Sequence, residues 1–268
     1  MQRPLEAPAT QNAPLLREDA GGVATLTLNR PEQYNALCDA LLDDLQRAID
    51  DIAADDSVRL LVLAARGRAF SAGHDLKEMR QRPERDYYEA LFKKCSRVMM
   101  SLVRLPKPVI ARVHGLATAA GCQLVASCDL AVAAREATFG TSGIRVGLFC
   151  MTPGVALSRN VERKKAFEML FTGDLVSADE ALAFGLVNRV VEAERLDAAV
   201  DELAQSILAH SQAAIAAGKR VFYQQLELGL SDAYALAAEE MACNMMFRDV
   251  GEGIDAFIAK RKPDWRHE

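Results

Sequence analysis

Two short stretches hold most of the residues able to do chemistry. The first, Arg66–Met79, reads RGRAFSAGHDLKEM and sets His74 between a glycine and an aspartate. The second, Pro108–Asp129, reads PVIARVHGLATAAGCQLVASCD. Its branched apolar start (Val109, Ile110, Val113) suits a buried strand. It turns at His114-Gly115, then runs through the small residues Ala117 to Gly121 into the helical pattern Leu124, Val125, Ser127, Cys128. Thr118 is the expected N-cap. The first N–H groups of a helix lack internal partners, and the helix dipole favours negative charge there. Small side chains let a ligand approach those groups. The same residues also suit close packing of a helix on a strand, so this stretch alone leaves both readings open.

Other chemistries have little to work with. Four histidines and six cysteines at 38, 95, 122, 128, 150 and 243, with no CxxC pair, do not predict a zinc or iron–sulfur site. No Ser–His–Asp or Cys–His order with a supporting motif is present, and a GxGxxG fingerprint for NAD or FAD is absent. A net charge of −5 gives no basic field for nucleic acid. No apolar run reaches the length of a membrane span. The scattered cysteines fit free thiols in a reducing compartment. Residues 1–14 are rich in Pro and Ala, have Arg3 as their one base, and lack the character of a signal or transit peptide. The expectation is therefore a flexible tail and a cytoplasmic location.

The elements that must position these residues follow from periodicity. Strands are expected at Val23–Leu28, Leu60–Ala64, Val109–Val113, Leu130–Ala133 and Leu186–Val190. Leu60–Ala64 is apolar throughout, as in a strand covered on both faces. Helices are expected at Asp39–Ile52, Asp75–Arg80, Tyr87–Leu102 and Glu162–Leu170, with Arg66–Ala72 as a loop. Thr152-Pro153 reads as an N-cap and first helical residue. Ser177 and Glu180 form a capping box for a helix that Gly185 closes. From Leu196 onward the chain is nearly all helical. Alternating strands and helices followed by helices alone predict an α/β core with a helical C-terminal part.

Several segments in one order resemble the crotonase (enoyl-CoA hydratase/isomerase) family: LNRPEQYNAL, AFSAGHDLKEM, KPVIARVHG, the small-residue turn with CQLVASCD, LFTGDLVSADEALAFGLVNRVV and KRKPDW. The resemblance implies a crotonase-like α/β spiral of ββα units with a C-terminal α-helical oligomerisation region. It divides the chain into a tail at 1–14, a core at 15–195 and a helical trimerisation region at 196–268. It implies an acyl-CoA thioester as ligand, no cofactor beyond the CoA carried by that substrate, and a homotrimer or dimer of trimers. Two backbone N–H groups would bind the thioester carbonyl and the enolate oxyanion formed from it. The matching positions are His74 and Ala120, the latter in an Ala119-Ala120-Gly121 turn where the family has a glycine-rich one. Ala72, Arg66, Arg68 and Lys77 match the CoA side of the site, and Lys260 is expected to approach it from the C-terminus.

The resemblance also exposes a gap. Hydratases of the family use two glutamates as general acid and base; here Gln123 and Gly143 stand in their places. No Asp or Glu occurs from Gly115 to Cys128 or from Ala137 to Val161. Each lost acid or base typically costs ~10²–10⁴ in rate. The remaining candidates are the His74 imidazole, Cys150 as a nucleophile or packed thiol, a water held by Gln123, and Glu78 or Glu89 from helices beneath the acyl group. Asp75 and Asp129 read as structural. Three functions stay open: a hydratase/isomerase with substitutes for the glutamates, a malonyl-type decarboxylase using His74, and a non-catalytic acyl-CoA binder.

Overall fold

The computed structural model describes residues 13–267. Its core repeats one unit, a long strand, a short strand and then helix. The first strands are β1 (Leu15–Ala20) and β2 (Val23–Leu28), followed by α1 (Asp39–Ala54). Next come β3 (Leu60–Ala65), β4 (Ala69–Ser71), α2 (Leu76–Gln81) and α3 (Arg85–Arg104). The second repeat is β5 (Val109–Val113), β6 (Leu116–Thr118) and α4 (Ala120–Ala126). The third is β7 (Leu130–Ala134), β8 (Thr138–Gly140), a 3-10 turn over Ser142–Val146, α5 (Met151–Leu157) and α6 (Arg163–Thr172). Then follow β9 (Val176–Ser177), α7 (Ala178–Ala183), β10 (Arg189–Val191) and the helices α8 (Leu196–Leu208), α9 (Gln212–Gln225), α10 (Leu230–Met245) and α11 (Arg248–Ile258).

Each repeat gives one strand to each of two sheets. The larger sheet runs β1-β2-β3-β5-β7-β10 and the smaller β4-β6-β8-β9. This is the expected spiral of ββα units. The pairings β3–β5, β5–β7, β4–β6 and β6–β8 are parallel, so the helices that follow the short strands all start at one edge of the smaller sheet. The continuous apolar run of β3 is explained by burial on both faces. Leu61 and Leu63 face the main core, whereas Leu60 and Val62 pack with Ile110 and Val132 against Leu196, Ala199 and Val200 of α8.

Sequence periodicity gave no element at β1, whose polar Arg17, Glu18 and Asp19 lie in an antiparallel edge strand on β2. It also missed β4, β6 and β8, which span three residues each and are too short to show a period. The stretch expected as a loop at Arg66–Ala72 thus contains a strand. Two cap assignments are corrected. Thr118 ends β6 and bonds Ser142 through the two hydroxyls (2.9 Å), leaving Ala119 as the N-cap of α4. Cys150, not Thr152, caps α5, placing Pro153 inside the first turn. The Ser177–Glu180 capping box is present with both reciprocal bonds. Of the expected tail, residues 1–12 lie outside the described residues. The carbonyls of Ala13 and Pro14 accept from the Asn29 side chain and backbone N–H, each at 2.8 Å.

The last helices differ from the core. α9 buries no residue and α10 only Ala233, while Leu230, Tyr234, Met241, Met246, Phe257 and Ile258 are exposed. α9 is tied to the core by Lys219, whose ammonium donates to Asp129 (2.7 Å) and to the carbonyls of Leu102 and Lys107; the Tyr223 hydroxyl donates to the same carboxylate at 2.9 Å.

Candidate functional site

The site forms where β4 and β6 end side by side. After β4 the chain turns at Gly73 (φ +89°), and after β6 it turns at Ala119 (φ +51°, ψ −121°) into α4. The two turns touch. A Cβ added to Gly73 would lie 3.1 Å from the Ala120 nitrogen, and one on Gly121 would lie 2.2 Å from the Ser71 carbonyl oxygen. Both glycines are therefore required by close approach of backbone to backbone. The conformational burden of the Ala119-Ala120-Gly121 turn falls on Ala119, one residue before the position matched to the family donor. Ala120 begins a regular helix, and Ala119 carries the left-handed dihedral that favours glycine.

The backbone bonds around these turns leave two donors aimed nowhere else. Leu37 N–H donates to the Gly73 carbonyl (2.7 Å) and Asp75 N–H to the Leu37 carbonyl (3.3 Å), which skips the N–H of His74 between them. Ala119 N–H donates to the Gly140 carbonyl (3.0 Å), whereas Ala120, as the first residue of α4, has no acceptor for its N–H among the described residues. Each donor is fixed by a neighbour that is bonded. Such preorganised donors contribute about 3–4 kcal/mol each where charge develops on an oxygen.

His74 itself is held by an edge-to-face contact with Phe92 of α3, ring centroids 5.4 Å apart. Both ring nitrogens are shut off from water and neither has a hydrogen-bond partner. Burial lowers its pKa from the ordinary histidine value, with a smaller opposing pull from the Leu37 backbone, and so favours the neutral ring. Gln123, one turn into α4, is buried with its amide oxygen unpartnered.

Gly143 has no spare room. A Cβ there would meet the Leu148 carbonyl oxygen at 2.5 Å and the Cys150 sulfur at 2.7 Å. The loop from Ser142 to Gly147 closes on itself through Leu148 N–H to Gly143 O (3.0 Å). A side chain at position 143 therefore has no room, because the loop itself fills the space. Cys150 is part of that filling. Burial pushes its thiol pKa up, against a weaker opposing bond from Gly143, so it is a poor nucleophile.

The reserve carboxylates are engaged elsewhere. Glu78 accepts from the Asp39 N–H and caps α1 (3.1 Å), and Glu89 is paired with Lys93 and Arg85 on α3. Asp75 accepts from the N–H groups of Lys77 and Glu78 and pairs with Arg30 at 3.1 Å, a helix cap. Asp129 accepts from Val109 N–H, Lys219 and Tyr223. Beside the site a groove of about 500 Å³ runs along α3, lined by Arg85, Tyr88, Glu89, Phe92, Lys93 and Ser96 with Thr152 of α5. Sequence reading did not identify Phe92 or this groove, because Phe92 carries only an ordinary helical-face signal.

Arg66, Arg68 and Lys77 are exposed around the first turn, and Ala72 gives its N–H to the Tyr34 carbonyl (3.0 Å) while its own carbonyl accepts no bond among the described residues. Lys260 is not with them. It follows α11, where Arg261 pairs with Glu252 and Trp265 donates to the Ala209 carbonyl.

The fold is the crotonase spiral, and the chain belongs to the enoyl-CoA hydratase/isomerase family, whose model matches residues 18–268. It is similar to the enoyl-CoA hydratase domain-containing protein 3, mitochondrial, of Xenopus laevis, at 46% identity over 96% of this chain and 88% of that protein. The human protein of the same name is 48% identical over 92% of this chain and 82% of its own. Among solved structures, an enoyl-CoA hydratase of Mycobacterium smegmatis superposes with a TM-score of 0.93 at 59% identity, covering 94% of this chain and 99% of that one. The cytoplasmic location expected from composition does not stand, because relatives at this level of identity are mitochondrial by name. Buried free thiols report only a reducing surrounding and do not separate one such compartment from another.

Proposed function

We propose that the protein is a hydratase/isomerase-type enzyme that binds an acyl-CoA thioester and stabilises its enolate, without the glutamate pair that ordinary hydration uses. The observation that carries this reading is the pair of free N–H groups, His74 and Ala120, fixed on touching turns after β4 and β6. A thioester carbonyl seated there would be polarised by both donors, and the partial positive end of α4 adds to them. With Gln123 in one acid/base position and the other filled by the Gly143 loop, proton transfer falls to His74 or to a water held by Gln123. Arg66, Arg68 and Lys77 would meet the CoA phosphates, with Lys260 supplied by a neighbouring subunit. The exposed apolar faces of α10 and α11 support a homotrimer or dimer of trimers, since a free chain gains little by exposing Leu230, Met246 and Phe257. No cofactor beyond the substrate's CoA is part of this reading.

The test is a mass-spectrometric screen of the purified protein against enoyl-, 3-hydroxyacyl-, malonyl- and methylmalonyl-CoA. Gain or loss of water is the expected outcome. Loss of carbon dioxide would move the protein to the decarboxylases, unchanged mass with tight binding would make it a thioester binder, and no binding would sink the reading.

A further inference from the structure

His114 stands in the turn between β5 and β6, and its one side-chain hydrogen bond among the described residues joins Nε2 to the Gly67 carbonyl at 2.9 Å. A carbonyl only accepts, so Nε2 carries the proton. Burial favours the neutral ring, which leaves Nδ1 bare, and that nitrogen is shut off from water without a partner. Buried polar groups are ordinarily paired. The ring keeps an unused nitrogen and spends its other one on the Arg66-Gly67-Arg68 turn between β3 and β4. The rest of that turn is held as firmly. Arg66 N–H donates to the Leu28 carbonyl (3.0 Å), and the buried Asn35 amide donates to the carbonyls of Arg66 (2.7 Å) and Ala69 (2.8 Å). A Cβ on Gly67 (φ +86°) would lie 2.6 Å from the Pro31 side chain, and one on Gly115 would lie 2.4 Å from the Arg68 carbonyl oxygen. The backbone is fixed, yet Arg66 and Arg68 are exposed and neither makes an ion pair among the described residues. Exposed arginines elsewhere, such as Arg135, Arg145 and Arg220, are each paired with a carboxylate.

We propose that His114 is a positioning residue for phosphate recognition: by clamping the Gly67 carbonyl it fixes the turn from which Arg66 and Arg68 meet the phosphates of a CoA thioester. The assignment rests on the reading of the chain as an acyl-CoA protein. The clamp lies where the parallel neighbours β4 and β6 begin, and the His74 and Ala120 N–H groups lie where those strands end. The chain from Arg68 to His74 can span at most about 20 Å, so one elongated ligand can engage both places. Its carbonyl would sit at the ends of the strands and its charged end at their starts. A guanidinium recognises phosphate through donors in a fixed fork. Loosening the turn beneath it therefore costs direction, although the charge remains.

The experiment is isothermal titration of the full-length protein with butyryl-CoA and with butyryl-pantetheine, which carries the same thioester and no phosphate. His114→Phe should weaken butyryl-CoA by about fivefold or more. Butyryl-pantetheine should shift by less than about twofold in the same variant, which also reports an intact fold. His114→Gln, which returns an N–H donor near the place of Nε2, should recover most of the loss. Arg66→Ala with Arg68→Ala should weaken butyryl-CoA at least as much, and adding His114→Phe to that pair should cost nothing further, because residues that act through one another are not additive. An equal loss for both ligands, an additive loss in the triple variant, or unchanged butyryl-CoA binding in His114→Phe or in the arginine pair would each overturn the proposal. If His114→Phe does not fold, His114→Asn, whose amide falls short of Gly67, takes its place in the same comparisons. Wild-type protein that binds both ligands equally would sink the clamp and leave the thioester site standing, whereas binding of neither would sink the acyl-CoA reading itself.

Discussion

Restoring both family glutamates, Gln123→Glu together with Gly143→Glu, looks from the sequence like a direct route to hydratase activity. The structure predicts otherwise for the second change. A side chain at 143 must begin with a Cβ, and that atom would stand 2.5 Å from the Leu148 carbonyl oxygen and 2.7 Å from the Cys150 sulfur. The first of these neighbours is backbone, held by the Leu148 N–H to Gly143 carbonyl bond at 3.0 Å, so it cannot simply rotate away. Overpacking of this kind costs about 1–3 kcal/mol, and a carboxylate brought against a carbonyl oxygen adds repulsion. Gly143→Glu should therefore lower the melting temperature by several degrees, at roughly 2–4 °C per kcal/mol for a chain of this size. Gln123→Glu is an isosteric change and should fold normally. Thermal unfolding by circular dichroism and crotonyl-CoA hydration followed by ultraviolet absorbance would be measured on the two single variants and the double. Hydration is expected to rise with Gln123→Glu alone and to gain nothing further in the double variant. An unchanged melting temperature for Gly143→Glu, with a further rise of a hundredfold or more in the double, would refute the reasoning. It would show that the loop opens freely and that the position was only vacant.

Ala119→Gly should stabilise the protein by about 1 kcal/mol, because relief of a strained non-glycine dihedral of 1–3 kcal/mol exceeds the added chain entropy of glycine; a lower melting temperature would count against the strained turn. Lys219→Ala should destabilise by about 3–5 kcal/mol, since it leaves Asp129 buried without its cation. Asp129→Asn with Lys219→Met should cost less, and urea unfolding of the single and double variants checks the order. Burial depresses the pKa of both His74 and His114, so the unfolded chain binds protons that the folded one refuses. Stability should be full above the unfolded histidine value of about 6.5 and fall as pH drops below it, by at most ~1.4 kcal/mol per pH unit for each ring. The slope should shrink in His74→Phe, and an unchanged slope would mean that the ring titrates normally.

The sequence was informative where a physical requirement leaves a mark on residue type. The doubly buried β3 shows as six apolar residues, α1 as an amphipathic period, and the α7 start as Ser177 with Glu180 three residues on. The small residues of AGHD and TAAG mark the two turns, because only small side chains let backbones approach as Gly73 and Gly121 do. The absence of carboxylates from Gly115 to Cys128 and from Ala137 to Val161 was equally plain, being a matter of composition. What tertiary structure alone decided concerns contact between distant segments. The three-residue strands β4, β6 and β8 have no period of their own, and they exist because each completes a sheet started by another repeat. Which alanine bears the strained dihedral depends on the neighbouring turn. Whether Gly143 is a gap or a filled position depends on Leu148 and Cys150, and whether Glu78 and Glu89 are free depends on Asp39, Arg85 and Lys93. Residue types and local spacing predicted an α/β core with a helical C-terminal part, and the family resemblance supplied the spiral and the candidate donors His74 and Ala120. The availability of each polar group was settled only when folding brought it a partner, or left it without one.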